Sequence, residues 1–319
     1  MSQALTIVSD ASTLPAALGP DLAAAVDLAL AEKASSTRKA YATDFRLFKV
    51  WCDARGVSAL PAAPETVASY LAAHAVILKP STLGRRVAAI RYAQLAGLEL
   101  PTDAEGVKAT MRGIRRTFGA ARVKKAPAIA AKVRSMVALA PDGLTGLRDR
   151  ALLLIGFAGA FRRSELVALD VADIEETETG LLVTIRQSKT DQEGAGDVIA
   201  LARGDVACPV KALRAWLQAA GIEGGAIFRP IGKASKLRSG RLTDRSVANI
   251  VKAYAARAGL DATVFSGHSL RSGFLTSAAA NGASIFKMMD VSRHKSVDTL
   301  RGYVCDAELF KDHAGTGLL

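Results

Sequence analysis

The longest near-continuous apolar run in the chain, Ala151 to Phe161, leads directly into Arg162-Arg163-Ser164-Glu165-Leu166-Val167-Ala168-Leu169. A run of that length is too short to span a bilayer. It therefore reads as a helix over about residues 146–159 that is buried inside a folded domain. Two arginines and a glutamate then interrupt a stretch that otherwise looks buried. A cation in apolar surroundings needs a partner, and Glu165, three residues after Arg162, is placed to hold it. A buried ion pair is the plain structural role for these residues.

A second concentration of polar residues lies in Gly267-His268-Ser269-Leu270-Arg271-Ser272-Gly273. If this segment forms a helical turn, His268 and Arg271 stand at i and i+3 and face the same way. Together they offer a proton-transfer group and a fixed cation to one anion. Downstream, Ser292 to Thr299 reads as a helix end, a turn and a new helix that carries Tyr303. The segment has the composition of phosphate chemistry ending on a nucleophile.

Composition limits what such a site acts on. Half of the 319 residues are hydrophobic and 23% are charged, enough to bury two cores without metal or disulfide staples. The three cysteines, Cys52, Cys208 and Cys305, are far apart and form no C-x-x-C pair, which fits a reducing cytoplasm. Nothing in the sequence reads as a signal peptide or a membrane segment. The net charge of +12 is unevenly placed: −3 over residues 1–34, +10 over 35–125 and +5 over 126–319. A basic segment of that kind draws a polyanion by counterion release, and nucleic acid is the commonest one inside cells.

Residues 1–34 read as an N-terminal tail, partly disordered, with a short helix from about Asp21 to Lys33. Residues 35–120 read as a helical DNA-binding domain. Its first helix runs from Ser35-Ser36 to about Arg55, with Tyr41, Phe45, Phe48 and Trp51 on one side and Arg38, Lys39, Arg46 and Lys49 on the other. A second helix covers about residues 64–75. A third begins at Ser81 after Pro80 and ends near Gly97, and its Thr82, Arg85, Arg86, Ala89 and Ala93 make a smooth, basic face suited to the major groove. A fourth spans about 104–118. Residues 121–129 read as a linker, and 130–319 as a second domain.

That domain opens with helices at about 130–140 and 146–159. A hairpin pattern follows, with strands at Gly180 to Arg186 and Asp197 to Leu201 and with Lys189 at its tip. Helices come next at about 209–220 and 243–258, separated by a basic, loop-like stretch; the second begins at Thr243-Asp244-Arg245. The whole predicts a mainly α protein with a small antiparallel sheet.

Arg162-x-x-Glu165, the hairpin Lys189, His268-x-x-Arg271, His294 and Tyr303 stand in the order and approximate spacing of the tyrosine recombinase, or phage integrase, family. The chain resembles that family over residues 35–310, and in its two-domain arrangement it looks like the Cre recombinase group. The resemblance implies a site-specific recombinase, with Arg162, Glu165, Lys189, His268, Arg271, His294 and Tyr303 as its catalytic set. At His294 the Cre group offers tryptophan as the alternative, and either ring presents an N–H donor.

The chemistry expected of these residues is consistent with that implication. A phenol with a pKa of about 10 attacks a phosphodiester only if its proton is accepted on the way. Arg162 and Arg271, with His294 as a third donor, suit the charge that grows on the non-bridging oxygens. Lys189 suits protonation of the leaving 5′-oxygen, and the resemblance gives His268 the proton transfer at Tyr303. Glu165 would orient Arg162 or His268. The product is a 3′-phosphotyrosine and a free 5′-hydroxyl, for which neither metal nor nucleotide cofactor is expected.

The expected partner is double-stranded DNA carrying an inverted-repeat site. It is contacted through Arg38, Lys39, Arg46, Lys49, Arg85 and Arg86 from one domain and Arg245 from the other. The protein is expected to assemble as a tetramer on paired sites, with Leu309 and Phe310 docking on a neighbouring protomer. Two alternatives belong to other classes: a type IB topoisomerase that nicks and reseals one duplex, and a DNA-binding protein that has kept the fold without catalysis.

Overall fold

The computed structural model describes residues 33–93, 101–119, 125–186 and 196–307. The chain divides into two compact units, one ending at Val123 and the other starting at Lys124. Residues 1–32, the end of the third helix near Gly97, Ala120 and residues 121–124 of the expected linker, Lys189 and the segment from Glu308 onward lie outside the described residues.

In the first unit, α1 (Ser35–Asp53), α2 (Pro64–His74), α3 (Pro80–Ala93) and α4 (Glu105–Phe118) surround a core of Phe48, Cys52, Val67, Tyr70, Leu71, Leu83, Ile90, Val107, Met111 and Ile114. Proline stands at the first position of α2 and α3, where its fixed φ is already helical and its missing N–H costs nothing. In α4 the buried residues Val107, Met111 and Ile114 recur at i, i+4 and i+7, while Arg112, Arg115 and Arg116 stay outside. On α1, Phe48 is buried, Lys39, Arg46 and Lys49 are exposed and Arg38 is half-buried. Lys49 pairs with Asp53 at 2.8 Å.

The third helix corrects one expectation. Arg86 and Ala89 do not belong to an outer basic face, because both are buried along with Leu83 and Ile90. The spacing of Leu83, Arg86 and Ile90 puts Arg86 on the core stripe. Its guanidinium donates to the Tyr70 hydroxyl and stacks over that ring. Arg85 is exposed, but it is tethered: its Nε and Nη2 donate to the buried carboxylate of Asp44 at 2.6 and 3.1 Å.

The second unit is organised around α6 (Leu144–Ala158), preceded by α5 (Ala130–Ala138) and followed by α7 (Arg163–Ala168). Every residue of α6 from Ala151 to Gly156 is buried, as expected of a helix apolar on all sides. A three-stranded antiparallel sheet follows in the order β1 (Ile174–Glu176), β2 (Gly180–Ile185) and β3 (Asp197–Ala202), with Gly180 opposite Ala202 and Ile185 opposite Asp197. The β1 strand was not legible in the sequence, since Ile-Glu-Glu has no alternation and is ordered by pairing with Leu181 to Val183.

The remaining helices are α8 (Pro209–Ala220), α9 (Asp244–Arg257), α10 (Ser269–Ala280), α11 (Ile285–Ser292) and α12 (Val297–Ala307). Gly273 lets α10 lie against the chain at Ala128, whose carbonyl oxygen would be 1.9 Å from an added Cβ. Leu275, Ala279, Met288 and Leu300 form a small core of their own that seats α11 and α12 on α10. Among the described residues no helix is long and apolar enough to cross a membrane.

Candidate active site

The turn after α6 supplies the first part of the site. Gly159 ends the helix, and Ala160 takes a left-handed φ of 46°, which for a residue with a Cβ costs on the order of 1 kcal/mol. That conformation lets the Ala160 carbonyl accept a hydrogen bond from Arg271 Nη1 at 2.7 Å. Arg162 is the N-cap of α7 and Glu165 its third residue, so the carboxylate reaches back to the cap. Glu165 Oε2 accepts from the Arg162 backbone N–H at 2.9 Å, and Oε1 accepts from Arg162 Nη1 at 2.6 Å.

The same carboxylate holds a second guanidinium. Arg293 Nη2 donates to Glu165 Oε2 at 2.7 Å. Burial of Glu165 works toward a raised pKa, but the charge of Arg293 and the hydrogen bonds from Arg162 outweigh it and hold the carboxyl below its ordinary value. The contacts of Glu165 thus run to Arg162 and Arg293. The sequence reading missed Arg293. A left-handed helix end ordinarily selects glycine or asparagine, and the available signal was its position beside His294.

His268 is the N-cap of α10 with helical φ and ψ, so His268 and Arg271 do stand one turn apart on one face. Arg271 is 1% exposed. Removal from water, then the charges of Arg162 and Arg293, bring its pKa down to about 9, which still leaves it protonated at neutral pH. Arg271 Nη2 lies 3.2 Å from Nε2 and 3.4 Å from Nδ1 of His294. Ser292 donates its hydroxyl hydrogen to the Met288 carbonyl at 2.6 Å, so His294 Nδ1, 2.7 Å away, is the donor to Ser292 Oγ. His294 Nε2 then carries the lone pair. Burial and the nearby Arg271 and Arg162 depress the His294 pKa to about 4, so in the empty site this ring is neutral. An anion placed among these groups would act in the opposite direction and raise the His294 pKa, the change that a protonated, donating Nε2 requires.

Tyr303 is on α12, half-buried beside the small core, with its hydroxyl 3.4 Å from His268 Nε2. Desolvation, followed by the charges of Arg271, Arg162 and Arg163, holds His268 below its ordinary pKa, so at neutral pH the ring is neutral and one of its nitrogens carries a lone pair. Arg163 is exposed and runs its stem across Gly267, where an added Cβ would meet Arg163 Cδ at 2.1 Å; its Nη2 lies 3.6 Å from Asp244. Arg245, exposed in the first turn of α9, is outside this cluster of contacts.

The fold therefore brings Arg162, Glu165, His268, Arg271, His294 and Tyr303 into one linked group and adds Arg293. One carboxylate faces three guanidinium groups, which leaves two of those charges for an incoming anion. A phenol, a neutral imidazole within reach of it and a cationic cradle are the parts that nucleophilic attack on a phosphodiester needs.

Comparison with known proteins gives this arrangement a family. The model of the phage integrase family matches residues 130–308. An integrase/recombinase xerD homolog from Selenomonas ruminantium is 43% identical over 289 residues, covering 88% of this chain and 85% of that protein. Among solved structures, a XerH site-specific recombinase bound to a palindromic difH substrate in a post-cleavage complex gives a TM-score of 0.57 at 14% identity, covering 80% of this chain and 72% of that one. A lambda integrase dimer bound to a COC′ core site gives 0.57 at 17% identity, covering 85% and 72%. At those identities the structural likeness speaks for the fold alone; the family model and the 43% relative speak for descent. The chain belongs to the phage integrase family, the tyrosine recombinases.

Proposed function

We propose that this recombinase cuts and rejoins DNA at specific sites through one repeated transesterification. Tyr303 Oη attacks the phosphorus, the phosphotyrosyl bond forms as the bond to the 5′-oxygen breaks, and a 5′-hydroxyl from a second duplex reverses the step. The phenol proton passes to His268. Arg162, Arg271 and a protonated His294 take the transition-state charge, and Glu165 holds Arg162. Lys189 gives the leaving oxygen its proton. The observation that carries this reading is the joining of α7, α10 and α12 in one contact group: Arg162 held by Glu165, and Tyr303 3.4 Å from His268, whose neighbour Arg271 is fully buried.

Double-stranded DNA is the partner, with an inverted-repeat site and a tetramer on paired sites. Supporting this are the neighbouring structures described as a XerH recombinase on its difH substrate and a lambda integrase dimer on a core site. Residues 35–120 read the site, 121–129 link, 130–319 do the chemistry, and the protein works in the cytoplasm. Supercoiled plasmids with and without paired sites separate the alternatives. We expect recombinant products only with paired sites; relaxation independent of a second site is the outcome of a topoisomerase, and unchanged plasmid that of a binding protein.

Recognition by the first unit is assigned to Arg38, Lys39, Arg46, Lys49 and Arg85, with Arg245 reaching bases from the second. Arg86 is left out because Tyr70 occupies it. Replacing both Lys39 and Arg46 by alanine should weaken binding on all sequences and reduce the salt slope by about 2. Arg86→Ala should instead leave affinity near wild type and lower stability by about 1–3 kcal/mol, since the buried Tyr70 hydroxyl loses its partner. Anisotropy titrations at several salt concentrations and urea denaturation read the two effects apart. A salt slope unchanged in the double variant sinks the assignment of the basic face.

A further inference from the structure

Arg293 combines three features that are unfavourable on their own. It adopts φ 57° and ψ 40° at the C-cap of α11, a conformation that favours glycine over any residue with a Cβ. Its side chain is 7% exposed, so a full charge is taken out of water. Its Nε is buried without a hydrogen-bond partner among the described residues. Against this, Nη2 holds Glu165 at 2.7 Å, while Nη1 donates to the Val291 carbonyl at 2.7 Å and to the Gly159 carbonyl at 3.3 Å. The guanidinium also lies over the Phe161 ring, 5.3 Å from its centroid.

The partners of Arg293 all belong to segments that present catalytic groups. Gly159 and Phe161 flank Ala160, whose carbonyl fixes Arg271. Glu165 fixes Arg162. The left-handed turn at Arg293 itself reverses the chain between Ser292 and His294, which sets the His294 ring against Ser292 Oγ and Arg271. Arg293 is thus the one side chain among these that touches the turn after α6, the carboxylate of α7 and the end of α11 together. With both Nη atoms donated inside the protein, it has no free fork to offer a phosphate.

We propose that Arg293 is a positioning residue for strand cleavage: through Glu165 and Gly159 it sets Arg162, and through its turn it sets His294, so that the donors converge on one phosphate. This rests on the reading of the site as a transesterification centre. Arg293 also helps keep Glu165 ionised, because its charge is the largest of those that offset the burial of that carboxylate, ahead of Arg162. Without Arg293 the burial of Glu165 works against ionisation with Arg162 and the more distant charge of Arg271 left to oppose it.

Arg293→Gly and Arg293→Lys test this on a nicked duplex whose short cleaved fragment diffuses away, so that each cleavage event leaves a covalent adduct. Glycine suits the observed backbone and removes only the side chain, so the variant should fold and bind DNA within about threefold of wild type. Its single-turnover cleavage should fall about 10- to 100-fold, the scale of a misplacement on the order of 1 Å. Its rate should begin to fall at higher pH than that of wild type, whose acid limb reports His268, as Glu165 becomes easier to protonate. Lysine keeps the charge but not the fork, so it should restore the acid limb and only part of the rate.

Adding Glu165→Gln to Arg293→Gly should cost much less than Glu165→Gln costs in the presence of Arg293, because the two act through one contact. A merely structural role would give the same loss in binding and cleavage, no movement of the acid limb and additive effects. Those results, or an Arg293→Gly variant that cleaves at the wild-type rate, overturn the proposal. If Arg293→Gly does not fold, the lysine variant decides by its acid limb. Wild-type protein that forms no adduct would instead overturn the reading of the site itself.

Discussion

Tyr303→Phe protein should bind DNA as wild-type protein does and should form no covalent adduct with a nicked substrate from which the cleaved fragment escapes. The substitution removes one oxygen and keeps the ring that packs beside Leu275, Met288 and Leu300, so α12 retains its seat on α10. On the proposed reading what is lost is the nucleophile, whose hydroxyl lies 3.4 Å from the imidazole assigned to take its proton. A phenol with a pKa of about 10 is almost wholly protonated at neutral pH, so a positioned base is required. His268 qualifies because burial and the surrounding arginines hold it neutral. Wild-type protein should accumulate as a 3′-phosphotyrosyl adduct without added metal, and peptide mapping should place the DNA on Tyr303. The rate should fall as the pH is lowered toward the point where His268 takes up a proton. An adduct that persists in Tyr303→Phe, or that needs magnesium, would remove this residue from its role.

The local relations in this site were legible in the sequence because they are helical spacings. Arg162 and Glu165, or His268 and Arg271, need only one turn of helix to meet, and both pairs do share a turn. The buried run from Ala151 announced α6 by composition. What escaped was set by distant contacts. Arg293 reaches a carboxylate 128 residues away from a backbone conformation that its residue type disfavours, so neither pattern nor propensity pointed to it. Arg86 was read outward because a charge usually lies there, and only the hydroxyl of Tyr70, sixteen positions away on another helix, makes an inward guanidinium tolerable. In β1, pairing with β2 overrides a sequence that carries two glutamates in three residues. The tautomer of His294 depended on Ser292 donating to Met288, a link visible only once the helix end is in place.

Arg271→Ala should still bind DNA and still form the adduct, but about 10²- to 10³-fold more slowly, the loss that follows removal of one preorganised donor from a developing oxyanion. The effect should be confined to the cleavage step, because Arg271 is 1% exposed and meets the phosphate only when the site is filled. Stability should move little. The Ala160 carbonyl loses its donor, which costs about 1 kcal/mol, but the burial of a charge and its repulsion with Arg162 and Arg293, which together draw the Arg271 pKa down to about 9, are relieved. Arg271→Lys should rescue poorly at neutral pH for the same reason. The surroundings that pull a guanidinium well below its ordinary pKa act on an ammonium whose ordinary pKa is about 10.4 and bring it toward the neutral form. A lysine also lacks the second arm that in the native site reaches His294 while Nη1 holds Ala160. Lowering the pH should therefore recover part of the lysine variant's rate and none of the alanine variant's. Single-turnover cleavage of the two variants across pH, with binding measured in parallel, checks this. A lysine variant as fast as wild type at neutral pH would show that charge alone, and not the fork held by the Ala160 carbonyl, carries the function of Arg271.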